Sequence, residues 1–304
     1  MEELKMKNVL ENVAAVTSSN DTDVIGHLTW YSMSEMLITR DELRQKLIES
    51  GVGEGFMPHE IRMPDAFRRA TSDKHRRKLS ESVYENYLFR EVASDRQSVQ
   101  RNIVLETVDE KGKRLEYNPA AVTLVLDKSN THVTINHTSE LARRIAEEAV
   151  TRFHIYRDNY GSQTLRTVAM NVLKSMSPTP VRPNGGVYFV PDQFTPRLDA
   201  LMSFMRCLDG GEGEKVPLIN SRDMKGMITR KLFDHLTQTL KNCENGVHNH
   251  LPKGQVKEIL EDARRVVQDF KEYSAILTGD LSDMEAYVDL IRAKMSVVLE
   301  NMAV

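Results

Sequence analysis

The 304-residue chain predicts an α+β fold, and three observations carry that expectation. Between Tyr84 and Asn136, runs rich in branched and aromatic residues alternate with turn sequences, the pattern of an antiparallel meander. Beyond Thr138, apolar residues recur every three or four positions, the spacing of one helix face. Strands come first and helices later instead of alternating, which indicates a segregated sheet and not a doubly wound one. The expected architecture is an antiparallel β-meander with packed helices, a central module resembling a winged helix, and a C-terminal lobe of three helices containing a helical hairpin. The expected domains are residues 1–80, an N-terminal helical region with a basic cluster; 81–208, the α+β core; and 215–304, a coiled-coil-like lobe.

Element by element, Leu4, Val9, Leu10, Val13 and Val16 suggest a short amphipathic helix. Thr39 and Glu42 fit a capping box, with Ile38 placed to staple onto Leu43 and Gly51 to end the helix in a left-handed conformation, so a helix is expected over Arg40 to Ser50. Trp30 and Tyr31 are expected to pack beneath it. Ala66 to Thr71 should form one or two helical turns with Phe67 inward. About four strands follow, at Tyr84 to Val92, Val99 to Val108, Arg114 to Leu126 with a bend at Pro119, and His132 to Asn136. The sequences Asp109 to Lys113 and Asp127 to Asn130 supply their turns.

Leu141, Ile145, Ala149, Phe153 and Tyr156 mark a helix packed on the meander, with Thr138 as its N-cap. After a break at Arg157 to Gly161, a second helix starts near Ser162, buries Leu165, Val168, Ala169, Val172 and Leu173, and stops before Pro178. Asn184-Gly185-Gly186 then turns the chain into the strand Val187 to Val190. Helix, turn, helix and hairpin is the order of a winged helix, in which Arg166, Lys174 and Arg182 would face phosphates. The competing reading is a core strand, because aromatic strands more often build cores than read grooves.

Leu198, Leu201, Met202, Met205 and Leu208 place a helix over Thr195 to Leu208. The glycine-rich stretch Asp209 to Glu214 reads as a flexible linker and a domain boundary. The remainder reads as three helices, with stripes running from Met224 to Leu240, from Val256 to Leu277 and from Met284 to Met302. Ser282 and Glu285 form a second capping box, and Gly279 and Asp280 close the hairpin. Val256, Ile259, Val267, Phe270, Ile291 and Met295 approach a heptad pattern and are candidates for self-association, the alternative being a self-contained bundle.

The charge balance is 41 minus 44, or −3, so no global basic excess points to nucleic acid or an anionic membrane. One window departs from this. Arg62, Arg68, Arg69, Lys74, Arg76, Arg77 and Lys78 face only Asp65 and Asp73, a local +5, and form the candidate macromolecule-binding cluster, toward phosphate or toward an acidic protein. Hydrophobic residues make up 40% and charged residues 28%, ordinary for a globular protein, and two cysteines are too few for a disulfide framework or a four-cysteine zinc site. Glu2 and Glu3 stand where a signal peptide would be positive, and no apolar run is long enough for a bilayer, so a cytoplasmic protein without membrane contact is expected.

Cys243, His248 and His250 come nearest to a metal cluster but lack a fourth ligand at zinc spacing, so no metal and no cofactor are expected. No P-loop, GxGxxG, GxSxG or HExxH occurs, and no catalytic residue is assigned. Trp30, the run Ala66 to Thr71 and the run Gly185 to Pro191 resemble an uncharacterised protein family of bacteriophages and prophages of Gram-positive bacteria. That resemblance implies a phage-encoded protein of the host cytoplasm that modulates host machinery or defence, and it brings no site residues. The expected function is a non-enzymatic interaction protein that self-associates and binds a host or phage macromolecule. The alternatives are a nucleic-acid-binding regulator and, third, a metal-dependent hydrolase or nuclease.

Overall fold

The computed structural model describes residues 23–182, 186–248, 251–273, 276–277 and 281–303, without the side chains of residues 248 and 301–303. The helix expected from Leu4 to Val16, the turn residues Asn184 and Gly185, and the pair Gly279 and Asp280 lie outside them. The fold is α+β with antiparallel sheets, as its sequence predicts.

The chain opens with β1 (Val24–Met33) and β2 (Leu37–Thr39). Trp30 and Tyr31 lie on β1, paired with Glu214 and Gly213, and Trp30 is 41% exposed, so it is not the packed aromatic that the sequence predicts. That strand escaped the sequence pattern because polar residues sit on its buried side. Thr29 donates to the Glu214 carbonyl at 2.9 Å, and the buried His27 has its Nδ1 3.3 Å from the Thr195 hydroxyl. Helix α1 (Arg40–Glu49) follows with the expected cap, the Glu42 amide donating to the Thr39 hydroxyl at 3.3 Å. Ile38 and Leu43 are buried, and Gly51 takes a φ of +83°.

Helix α2 (Met63–Ala70) turns Phe67 fully inward. Next come β3 (Lys74–Ser80), β4 (Val83–Ser94), β5 (Ser98–Asp109), β6 (Arg114–Asp127) and β7 (Val133–His137), hydrogen-bonded in chain order as one antiparallel meander. The sheet has five strands and not four. The extra one, β3, reads KHRRKLS and is exposed along nearly its whole length, so it carries no alternation; charged edge strands of this kind resist unwanted pairing. Helix α3 (Glu140–Asp158) covers one sheet face. Its cap is Ser139, one residue past the expected Thr138, whose hydroxyl instead donates to the Ala121 carbonyl. Phe67 and Phe153 meet edge to face at 5.6 Å in this core.

The break after α3 is itself a strand, β8 (Asn159–Gly161), paired with β2. Helix α4 (Ser162–Lys174) then buries the five expected side chains. Strands β9 (Thr179–Pro180) and β10 (Tyr188–Pro191) form a hairpin, but β10 is no protruding wing. It lies between β1 and β9, with Phe189 and Val190 buried, so the core strand is the realised alternative.

Helix α5 (Thr195–Cys207) leads into β11 (Gly211–Ile219), which replaces the expected flexible linker. β11 pairs with β1 from Met33↔Gly211 to Val24↔Ile219. Its glycines serve close packing. A Cβ on Gly211 would fall 2.2 Å from the Met205 carbonyl oxygen, and one on Gly213 would fall 3.0 Å from the Met202 sulfur. Helices α6 (Arg222–His248), α7 (Lys253–Tyr273) and α8 (Ser282–Ala303) form the expected three-helix lobe.

Two compact units result, and both are discontinuous in sequence. One takes the described residues of Met1–Ser34, Ile48–Gly53 and Ala169–Val304; the other takes Glu35–Leu47 and Glu54–Val168. The expected consecutive domains 1–80, 81–208 and 215–304 are not these units. The reason is pairing across the chain, since β1 finds both its sheet neighbours, β10 and β11, in the C-terminal half.

Candidate functional site

Side chains alternate between the faces of a strand, so register decides which residues of the five-stranded sheet share a surface. Tyr87, Phe89, Ile103, Val122, Leu124 and Leu126 lie on the face that packs on α2 and α3. The opposite face carries no helix among the described elements. Register places Lys74, Arg76 and Lys78 there, across from Leu88, Asn86 and Tyr84. Arg90 lies across from Asn102, while Val108 is shared by Tyr84 and Arg114 and Glu106 lies across from Tyr117.

Two arginines on this open face lie over tyrosine rings. The Arg76 guanidinium is 4.0 Å from the Tyr84 ring centre, and Arg114 is 4.8 Å from that of Tyr117. Arg114 also donates to the Glu106 carboxylate at 2.7 Å. Amides add hydrogen-bonding groups, as where Gln100 donates to Asn102 and Asn102 to the Pro119 carbonyl. Lys74, Arg76, Lys78, Arg90 and Arg114 thus face Glu106 and, at the far end opposite Ser98, Asp127. The cations gather where β3 to β6 meet.

The sequence-defined basic cluster is therefore divided. Arg62 is paired with Asp65 at 2.7 Å, and Arg68 binds Glu91 at 2.8 Å and Asp65 at 3.4 Å. That hydrogen bond from Arg68 holds the Glu91 carboxyl below its usual range. Arg69 stacks on Tyr156 at 3.9 Å, and Arg77 lies on the other sheet face, across from Glu85. Only Lys74, Arg76 and Lys78 reach the open face. Arg90, Arg114, Tyr84 and Tyr117 join them through strand pairing, and alternation along β4 and β6 was the one signal in the sequence that bore on their placement.

Each of the three phosphate candidates from the winged-helix reading has its own surroundings. Arg166 lies 3.6 Å from Glu35, Lys174 lies 3.6 Å from Asp262, and Arg182 is exposed. The self-association set turns inward. Val256, Phe270 and Ile291 are buried, and Ile259, Val267 and Met295 pack against the same cores. An oligomer built on these side chains would compete with the fold itself.

The helical lobe has its own polar cleft of about 540 Å³, lined among others by His235, Gln238, Asn242, Gln255 and Asp262. Burial pushes the His235 imidazole down to about 4, helped by Arg265, so it is neutral at pH 7. Asp262 accepts from Arg265 at 2.7 Å and lies near Lys174. The cleft is lined by hydrogen-bonding groups. Nearby, the Ser177 hydroxyl donates to Asp269 at 2.9 Å and Tyr273 donates to the Ser177 carbonyl at 2.7 Å, fastening the end of α4 to α7. Burial raises the Asp269 carboxyl to about 6.

Cys243 points into the lobe core, where burial pushes its thiol up, the reverse of what a zinc thiolate needs. The side chain of His248 and all of His250 lie outside the described residues. Among the described residues no group of three or more His, Cys, Asp and Glu is placed to hold a metal. No described helix is long and apolar enough to cross a membrane.

Fold and surface together define an α+β protein whose five-stranded sheet, within its own compact unit, carries a basic face that no helix described there covers. The chain belongs to DUF6744, a family of unknown function, which it matches over residues 24–304. Comparison with curated proteins and with solved structures finds no significant match.

Proposed function

We propose that the protein is a non-enzymatic binding protein that engages an anionic macromolecule through the open face of its five-stranded sheet. The observation that carries this reading is the gathering of Lys74, Arg76, Lys78, Arg90 and Arg114 on a face that no described helix covers, in a chain whose net charge is −3. Local concentration of charge attracts a polyanion even when the whole molecule is acidic, and such binding weakens as salt rises. The test is elution from a heparin matrix. Lys78→Ala with Arg90→Ala should lower the eluting salt concentration, whereas Arg62→Ala with Arg68→Ala, whose charges are engaged with carboxylates, should not. Equal elution of both double variants and the wild type would overturn the proposal.

A further inference from the structure

Resting on that reading, we infer that the anion is a single-stranded nucleic acid, read by stacking on the Arg76–Tyr84 and Arg114–Tyr117 platforms. Lys78 lies directly across from Tyr84, and Arg114 lies across from Val108 next to Glu106. Tyr84 therefore has Lys78 beside it as well as Arg76 over its ring, and Tyr117 has Arg114 over its ring. A guanidinium over an aromatic ring, as Arg76 lies over Tyr84 at 4.0 Å, adds a cationic, planar group on which a base can stack. An acidic protein would instead need the in-plane donor edge, because carboxylates pair with the fork of the guanidinium. In Arg114 one donor of that edge is already taken by Glu106 at 2.7 Å, which weakens its pairing with a further carboxylate.

The two platforms lie on β4 and β6, two strands apart and offset by two residues along the sheet, which puts them about 12 Å from one another. They take different bases of one strand. Asn86, across from both Arg76 and Glu106, supplies an amide between them. Unpaired bases are required, since paired ones bury the faces that would stack. Sheets that display aromatic residues on an open face bind single strands by this physics, with phosphates held by the surrounding cations and bases held by rings.

The experiment is fluorescence anisotropy with the full chain and three probes: an oligothymidylate of about 12 nucleotides, an abasic strand with the same phosphates, and a polyglutamate of equal charge. Oligothymidylate should bind about tenfold or more tighter than the abasic strand, the difference that stacking supplies. Tyr117→Leu and Tyr84→Leu should each remove most of that difference and leave abasic binding and heparin elution unchanged. Tyr117→Phe, which keeps the ring, should retain it. Lys78→Ala should weaken both strands alike. Tyr117 is 51% exposed, so its variants are expected to fold, which circular dichroism checks. Equal affinity for the two strands, or tighter binding of polyglutamate, would overturn the nucleic-acid inference while leaving the anion-binding proposal standing. Heparin elution left unchanged by Lys78→Ala with Arg90→Ala would overturn both.

Discussion

In the three-helix lobe the apolar stripes of α6, α7 and α8 pack on one another, whereas the five-stranded sheet packs one face and leaves the other open. The two regions have comparable cores. They differ in what remains at the surface, because a helix hides its stripe against neighbouring helices while a sheet always has a second face to cover. The lobe's stripes, which in sequence resemble a dimerisation seam, pack against one another; the basic window, which in sequence reads as one binding cluster, is divided, and only Lys74, Arg76 and Lys78 join the open face. Periodicity locates cores more readily than it locates function.

The sharpest way to break this comparison lies in the lobe. Ile291 is fully buried and its neighbour Leu290 is 49% exposed. Ile291→Asp should cost on the order of 4 kcal/mol or more, by lost packing and a buried charge, while Leu290→Asp should stay within roughly 0.5 kcal/mol. Urea unfolding of the full chain measures both, and similar values would mean that the stripe is not internal.

Acid titration separates groups buried within the lobe unit from charges on the sheet. Asp269 has its folded value raised to about 6, so the folded state holds its proton more tightly than the unfolded chain. Its stabilising contribution is complete below about 4 and is lost as pH rises toward 6. His235, lowered to about 4, acts in the opposite sense: stability is lost as pH falls from about 6.5 toward 4, because only the unfolded imidazole takes the proton. The two effects overlap and offset one another in the wild type. Asp269→Asn should expose a fall in melting temperature between pH 6 and 4, and His235→Gln should expose a rise over the same window, of up to about 2 kcal/mol each after allowance for partial solvation. Parallel melting curves for all three proteins would contradict these assignments.

A packing effect of similar size tests β11. Gly211→Ala should destabilise by roughly 1–3 kcal/mol, since the added carbon meets the Met205 carbonyl, whereas Gly254→Ala, with open space around it on α7, should stabilise by about 0.4–1 kcal/mol. Differential scanning calorimetry would show melting temperatures shifted in opposite directions; a shift of the same sign would restore the flexible-linker reading. Smallest of all, Arg68→Ala breaks a surface pair with Glu91 and should cost under about 1 kcal/mol by chemical denaturation.

The sequence by itself determined the α+β class, helices α1 and α3 through α8, the turn of helix around Phe67 and strands β4 to β7. Those elements announce themselves within a few residues, through caps at Thr39 and near Ser139, apolar spacing of three or four, and alternation on a half-buried strand. Tertiary structure alone decided that β1, with His27 and Thr29 facing inward, and β11, with glycines pressed against α5, are neighbours across nearly two hundred residues. It decided equally which charges share a face. Lys78, Tyr84 and Arg114 meet only through register, and register is set by pairing between strands; a slip of one residue would send every side chain of a strand to the other side. Local patterns fix elements because their causes are local, while the site is a product of pairings that no single stretch encodes.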